Sequence, residues 1–171
     1  DPVSADQMGM LATVINALAV QEALRRVGQR ASVFTAQEMN RFAALYTRDA
    51  ADAALRAGEV ALLAGGTGNP FFTTDTGAAL RAAELKADAV FKGTTVDGVY
   101  DADPHKNPDA RLIREISYRE AIERGLKVMD ISAFTLCMER HVPEIRVFSM
   151  NPLSNILRVA EGEALGTVAH E

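Results

Sequence analysis

The sequence predicts an α/β fold with a mostly parallel sheet, on three observations. Short apolar runs alternate with helical patterns along the chain. One of them, Val60-Ala61-Leu62-Leu63-Ala64, is apolar throughout, as in a strand buried on both faces. It leads through a glycine-rich turn and an alanine-rich helical pattern to a second strand, which implies a right-handed parallel crossover.

The elements follow in order. Leu11, Val14, Ile15, Leu18 and Leu24 recur at three- and four-residue spacing. They predict a helix over 8–27 with one buried face, stopped by Gly28. Asp6, just ahead of it, reads first as a helix-start residue. Residues 31–34 predict a short strand, 36–46 are ambiguous, and 48–57 predict a helix ended by Gly58. Strand 60–64, helix 74–86 and strand 88–92 come next. Residues 93–114 are polar but punctuated by Val96, Val99 and Tyr100, the pattern of an ordered functional loop. Helices are predicted over 118–123 and 132–139, the second capped by Met129-Asp130. A strand over 145–148, a helix over 155–160 and a terminal strand over 167–169 complete the chain. There are no repeats and no low-complexity segments. At 171 residues one α/β domain over 1–171 with a full core is expected.

Composition narrows the function. With 48% apolar and 24% charged residues this is an ordinary globular chain. A net charge of −5 argues against a nucleic-acid-coating surface and leaves a small phosphate ligand open. The single Cys137 excludes an internal disulfide and suits a reducing cytoplasm. No apolar run has the length of a membrane span and no signal peptide is visible, so no membrane partner is expected. The chain opens on Asp1 without an initiator methionine, which suggests sequence upstream.

The most informative stretch is Gly65-Gly66-Thr67-Gly68-Asn69-Pro70-Phe71-Phe72-Thr73-Thr74-Asp75. Three glycines in four positions permit positive backbone angles and close ligand approach. Asn69 and Thr67 offer hydrogen bonds, and Phe71 and Phe72 offer surface for a flat group. Thr73, Thr74 and Asp75 stand where helix caps belong, and the helix start that follows favours an anion. A tight turn with a capped helix is the plain alternative. The spacing matches neither the dinucleotide fingerprint nor a Walker loop. Support comes from Lys92 at a strand end and from Asp97-Gly98-Val99-Tyr100-Asp101-Ala102-Asp103-Pro104. Cation, aromatic ring and carboxylates together suit a magnesium-bound triphosphate, although alone they read as a solvated acidic loop. His105, His141 and His170 lie far apart without nearby carboxylate or cysteine partners, so no metal site is predicted. Cys137, on an apolar helical stretch, reads as a core thiol.

Asp6-Gln7-Met8-Gly9-Met10-Leu11-Ala12-Thr13, residues 66–75, residues 92–104, Lys127-Val128-Met129-Asp130 and residues 145–151 resemble bacterial uridylate (UMP) kinases, in that order and over nearly the whole chain. The Asp-Gly-Val-Tyr…Asp-Pro stretch is shared with amino-acid-kinase-fold enzymes at large, including glutamate kinase and aspartokinase. The Met-Gly-Met helix start and Gly-Thr-Gly-Asn-Pro-Phe-Phe-Thr-Thr-Asp point to the UMP kinase subgroup.

The resemblance implies a carbamate-kinase-like three-layer αβα sandwich around a mostly parallel sheet. It also implies transfer of the γ-phosphoryl of Mg-ATP to UMP, giving UDP and ADP for pyrimidine nucleotide biosynthesis. Asp6 matches an acidic contact to the nucleoside monophosphate, and Thr67, Gly68, Asn69, Pro70, Phe71, Phe72, Thr73 and Thr74 match the lining of the UMP site. Asp75 matches an aspartate that organises catalytic lysines, Lys92 a cation near the transferred phosphoryl, and Thr94, Tyr100 and Asp103 contacts to ATP. Mg2+ with ATP, a homohexamer, GTP activation, UTP inhibition and a cytoplasmic location belong to the same implication. So does an upstream segment with a lysine-bearing glycine loop and the first strands of the sheet, making these residues the C-terminal majority of such an enzyme. The competing readings are a non-catalytic nucleotide-binding or storage module, and a carboxylate or carbamate kinase, on the same fold.

Overall fold

Asp1 caps the first helix, α1 (Pro2–Arg26), accepting a hydrogen bond from the Val3 N–H at 3.3 Å, with Pro2 in the first turn. This computed structural model describes residues 1–102, 106–126 and 129–171. The helix thus starts six residues before the expected Met8, and Asp6 lies inside it rather than at its start. Its buried face is also narrower than the periodicity predicts. Val14 is buried, but Leu11 is 50% and Ile15 68% exposed. At 25 residues, with a mean hydropathy of 1.3 over its most apolar 18, α1 reaches the dimensions of a membrane span, which the sequence reading had excluded. In this structure α1 packs on β1 and β3.

The chain divides into two units, Asp1–Gly77 and Ala78–Glu171. In the first, β1 (Ala31–Thr35), β2 (Ala44–Leu45), α2 (Arg48–Arg56) and β3 (Val60–Ala64) follow α1. Thr47 caps α2 through its hydroxyl, which accepts from the Ala50 N–H at 3.2 Å. The sheet order is β2-β1-β3, all parallel, with Ala31 opposite Val60 and Thr35 opposite Ala64. The predicted strand 60–64 is therefore present, but as an edge strand of this sheet. Val60 is 37% exposed and Leu62 and Leu63 are half-buried, not covered on both faces.

Helix α3 (Thr74–Leu85) crosses the division between the units. The second unit holds β4 (Val90–Thr94), β5 (Val99–Tyr100), β6 (Leu112–Ile113), β7 (Glu115–Ser117), α4 (Tyr118–Glu123), α5 (Ile131–Glu139), β8 (Glu144–Ser149), α6 (Asn155–Ala160) and β9 (Thr167–His170). The sheet order is β4-β8-β9-β7, parallel except for the β8–β9 pair. β3 and β4, read from sequence as one crossover, fall in different sheets. The antiparallel pair β5–β6 lies within the segment expected as a loop. It is secured by the buried Thr167 hydroxyl, which accepts from the Val99 N–H at 2.8 Å.

The core of this unit joins Tyr118, Phe134, Cys137, Ile145 and Val147, all fully buried. Burying side chains of this size stabilises by roughly 1.5–3 kcal/mol each. The Tyr118 hydroxyl donates to the Val142 carbonyl at 2.8 Å, so its burial leaves no orphaned polar atom. Cys137 is the core thiol the sequence predicts, and Asp130 stands at the N-cap of α5. The histidines differ from expectation. His141 meets Glu171 at 2.5 Å and His170 meets Glu115 at 2.9 Å, carboxylates that sequence spacing could not bring together. Among the described residues no three metal-ligating side chains cluster.

Candidate functional site

The parallel register of β1 and β3 ends both strands at one edge, at Thr35 and Ala64. The glycine-rich loop emerges there, at the carboxyl edge where open α/β sheets place ligands. Gly65, Gly66 and Gly68 have φ of 80°, 57° and 80°. At Gly65 a Cβ would stand 3.2 Å from the Ala36 backbone nitrogen, so both space and backbone angle call for glycine. The Gln37 amide donates to the Gly68 carbonyl at 2.6 Å and holds the loop from the β1 side.

Helix α1 holds it from the other. The Asp6 carboxylate accepts from the Phe71 N–H at 2.7 Å, and the Thr13 hydroxyl accepts from the Gly65 N–H at 2.8 Å. Phe71 has φ of 70°, a left-handed conformation uncommon outside glycine and frequent at functional positions. Phe71 is 75% and Phe72 55% exposed. At the far end, Thr73 caps α3, its hydroxyl accepting from the Thr76 N–H at 3.5 Å. Thr74 and Asp75 thus fall in the first turn, with Asp75 half-buried. Gly77 lets the Gly66 backbone approach α3, since a Cβ there would stand 3.2 Å from the Gly66 Cα.

Six predicted residues line one cavity of about 250 Å³, Asp6, Thr67, Asn69, Phe72, Thr73 and Thr74, with Gly66 beside them. Gly68 and Pro70 line a neighbouring, more apolar cavity of about 320 Å³ with Met10, Val14 and Met39. The loop is the wall between the two. The first cavity combines a carboxylate, hydroxyls, a carboxamide and an aromatic ring at the start of a helix. That is chemistry for a small, flat, hydroxylated anion. Sequence reasoning missed Thr13 and Gln37 as supports of this loop. No spacing rule connects a mid-helix threonine, or a glutamine in the ambiguous segment 36–46, to a turn distant in sequence.

In the second unit, Lys92 pairs in register with Val147 and lies two residues before the end of β4, not at its end as predicted. Thr94 closes that strand, and its carbonyl accepts from the Met150 N–H at 2.8 Å. Tyr100 sits in β5, half-buried, its hydroxyl 3.5 Å from Asp97. The Asp101 carboxylate accepts from the Arg111 N–H at 2.7 Å and closes the β5–β6 pair. Asp103 lies outside the described residues, as do Lys127 and Val128 of the resemblance.

The chain has counterparts among known proteins. The amino acid kinase family model matches residues 1–149. A uridylate kinase of Bacteroides thetaiotaomicron is 49% identical over 170 residues, 99% of this chain and 72% of that protein. One of Magnetococcus marinus is 52% identical over 167 residues, 98% of this chain and 69% of that protein. The chain belongs to the amino acid kinase family and, within it, to the uridylate kinases.

The fold agrees with that membership. The crystal structure of UMP kinase from Ureaplasma parvum superposes with a TM-score of 0.93 at 35% identity, over 100% of this chain and 73% of that one. A uridylate kinase structure from Archaeoglobus fulgidus gives 0.74 at 30% identity, over 99% and 73%. The α/β class with mostly parallel sheets is thus established for this uridylate kinase chain.

Proposed function

We propose that the chain phosphorylates UMP with ATP, and that the loop over residues 65–75 with Asp6 is its acceptor site. Family membership gives the reaction. The observation that carries the assignment of the site is the convergence of Asp6, Thr67, Asn69, Phe72, Thr73 and Thr74 on one cavity at the start of α3. In this reading Asp6 meets the ribose hydroxyls, the loop from Thr67 to Phe72 holds the base, and Thr73 and Thr74 stand toward the phosphate.

The acceptor is a phosphate oxygen already ionised at neutral pH, so a general base has little to do. Catalysis reduces to alignment and to neutralising charge between two anions. By the family resemblance Lys92 lies close to the transferred phosphoryl and Thr94 and Tyr100 contact ATP, as does Asp103, which lies outside the described residues. Asp75, in the first turn of α3, takes the role toward catalytic lysines that the family resemblance implies. Magnesium keeps several waters and takes one or two carboxylates plus phosphates. It would arrive with ATP and, when bound, would neutralise phosphate charge.

Assembly as a homohexamer, activation by GTP, inhibition by UTP and a cytoplasmic location are further proposals from the family resemblance. Exposed Met8, Leu11 and Ile15 share one face of α1 and support self-association, which sedimentation would measure. The test of function is calorimetric titration with UMP and ATP beside a coupled assay of ADP release in the intact protein. UMP-dependent ADP release supports the kinase. Binding of both nucleotides without turnover indicates a storage module, and indifference to UMP indicates a carboxylate or carbamate kinase.

A further inference from the structure

Two side chains of α1 bond to the start and the middle of the glycine-rich loop. Thr13 takes the N–H of Gly65 at 2.8 Å, and Asp6 takes the N–H of Phe71 at 2.7 Å. Seven residues separate them, two helical turns or about 10 Å along one face. The Thr13 hydroxyl also donates to the Met10 carbonyl at 2.7 Å, which commits its proton to the helix and aims a lone pair at Gly65. Gly65 has no side chain to anchor it, and its φ of 80° makes it the point where the chain leaves β3 and turns.

We infer that Thr13 is a positioning residue for the acceptor site: its hydroxyl fixes where the loop leaves β3, and so where the following residues meet the nucleoside monophosphate. This rests on the reading of residues 65–75 as the acceptor loop. Thr13, which also lines the cavity, sets the loop through Gly65, as Asp6 does partly through Phe71, and α1 is the element against which the loop is set. A valine keeps the shape of the threonine and loses the acceptor, whereas a serine keeps the acceptor.

The experiment is steady-state kinetics of Thr13→Val, Thr13→Ser and Asp6→Ala in the intact protein, with amide exchange at Gly65 followed by NMR. Thr13→Val should raise the KM for UMP about fivefold, the loss of roughly one hydrogen bond, and leave the KM for ATP within about twofold. Gly65 exchange should quicken in Thr13→Val, and Thr13→Ser should restore both readouts. An unchanged UMP KM, equal changes in both KM values, failure of serine to rescue, or a Thr13→Val protein that does not fold while Thr13→Ser does, would each overturn the inference. If Asp6→Ala raises the UMP KM and Thr13→Val does not, this inference alone fails. If neither does, the acceptor-loop reading fails with it.

Discussion

The carboxylate of Asp6 accepts a hydrogen bond from the Phe71 N–H at 2.7 Å, across 65 residues of sequence. The bond holds a non-glycine residue with φ of 70°, next in sequence to Phe72, which lines the candidate cavity. In the proposed acceptor site one Asp6 oxygen serves the loop and the other is left for the ligand. Asp6→Ala should weaken UMP binding by about 2 kcal/mol or more, since a charge-assisted bond and a ligand contact go together. Calorimetry measures this, and an unchanged affinity would contradict it.

Thr73 and Asp75 should separate stability from turnover. The Thr73 hydroxyl caps α3, so Thr73→Ala should cost about 1 kcal/mol of stability. Asp75 lies within the first turn, and Asp75→Asn should lower kcat far more than UMP affinity or the unfolding midpoint. An Asp75→Asn protein that merely unfolds would return Asp75 to a structural role.

Gly166 and Gly125 form a controlled pair. Both have positive φ, 72° and 59°. A Cβ at Gly166 would stand 1.9 Å from the Val147 carbonyl oxygen, where β8 and β9 pair, whereas at Gly125 nothing lies within 4 Å. Gly125→Ala should cost about 1 kcal/mol from backbone strain alone. Gly166→Ala should cost several times as much, because backbone atoms must move. Denaturant midpoints of the two variants decide it, and similar values would contradict the packing argument.

Burial pushes the Cys137 thiol up to about 11. An unfolded thiol ionises near about pH 8.5, so above that pH the unfolded chain sheds a proton that the folded chain keeps. Stability should therefore fall as pH rises from about 8.5 to about 11, by up to about 1.4 kcal/mol per pH unit from this group. Unfolding curves across that range should show a shallower fall for Cys137→Ala. Parallel slopes would mean that the thiol does not titrate as described.

Much of the fold was legible because local signals agreed with it. Strand 60–64 and helices 118–123 and 155–160 occur with the predicted bounds. The start of α1 was misplaced because apolar periodicity begins at Met8, while the Asp1–Pro2 cap signal lies earlier. Its exposed face was misread because periodicity reports amphipathicity and not what covers the apolar side. The β5–β6 pair went unseen since two-residue strands carry no period. In the candidate site, glycine spacing pointed to the loop, whereas Asp6 read as a helix-start residue and only the resemblance pointed to it. The bonds that set the loop, from Thr13, Gln37 and Asp6, join residues far apart in sequence and exist only once α1 and β1 pack beside β3.

The most direct test of the central claim is hydrogen–deuterium exchange of the intact protein with UMP alone and with ATP alone. The acceptor-site assignment predicts that UMP slows exchange over residues 65–74, with ATP acting instead on the segment from Lys92 to Tyr100. Protection of the Lys92 to Tyr100 segment by UMP, with residues 65–74 unaffected, would contradict it.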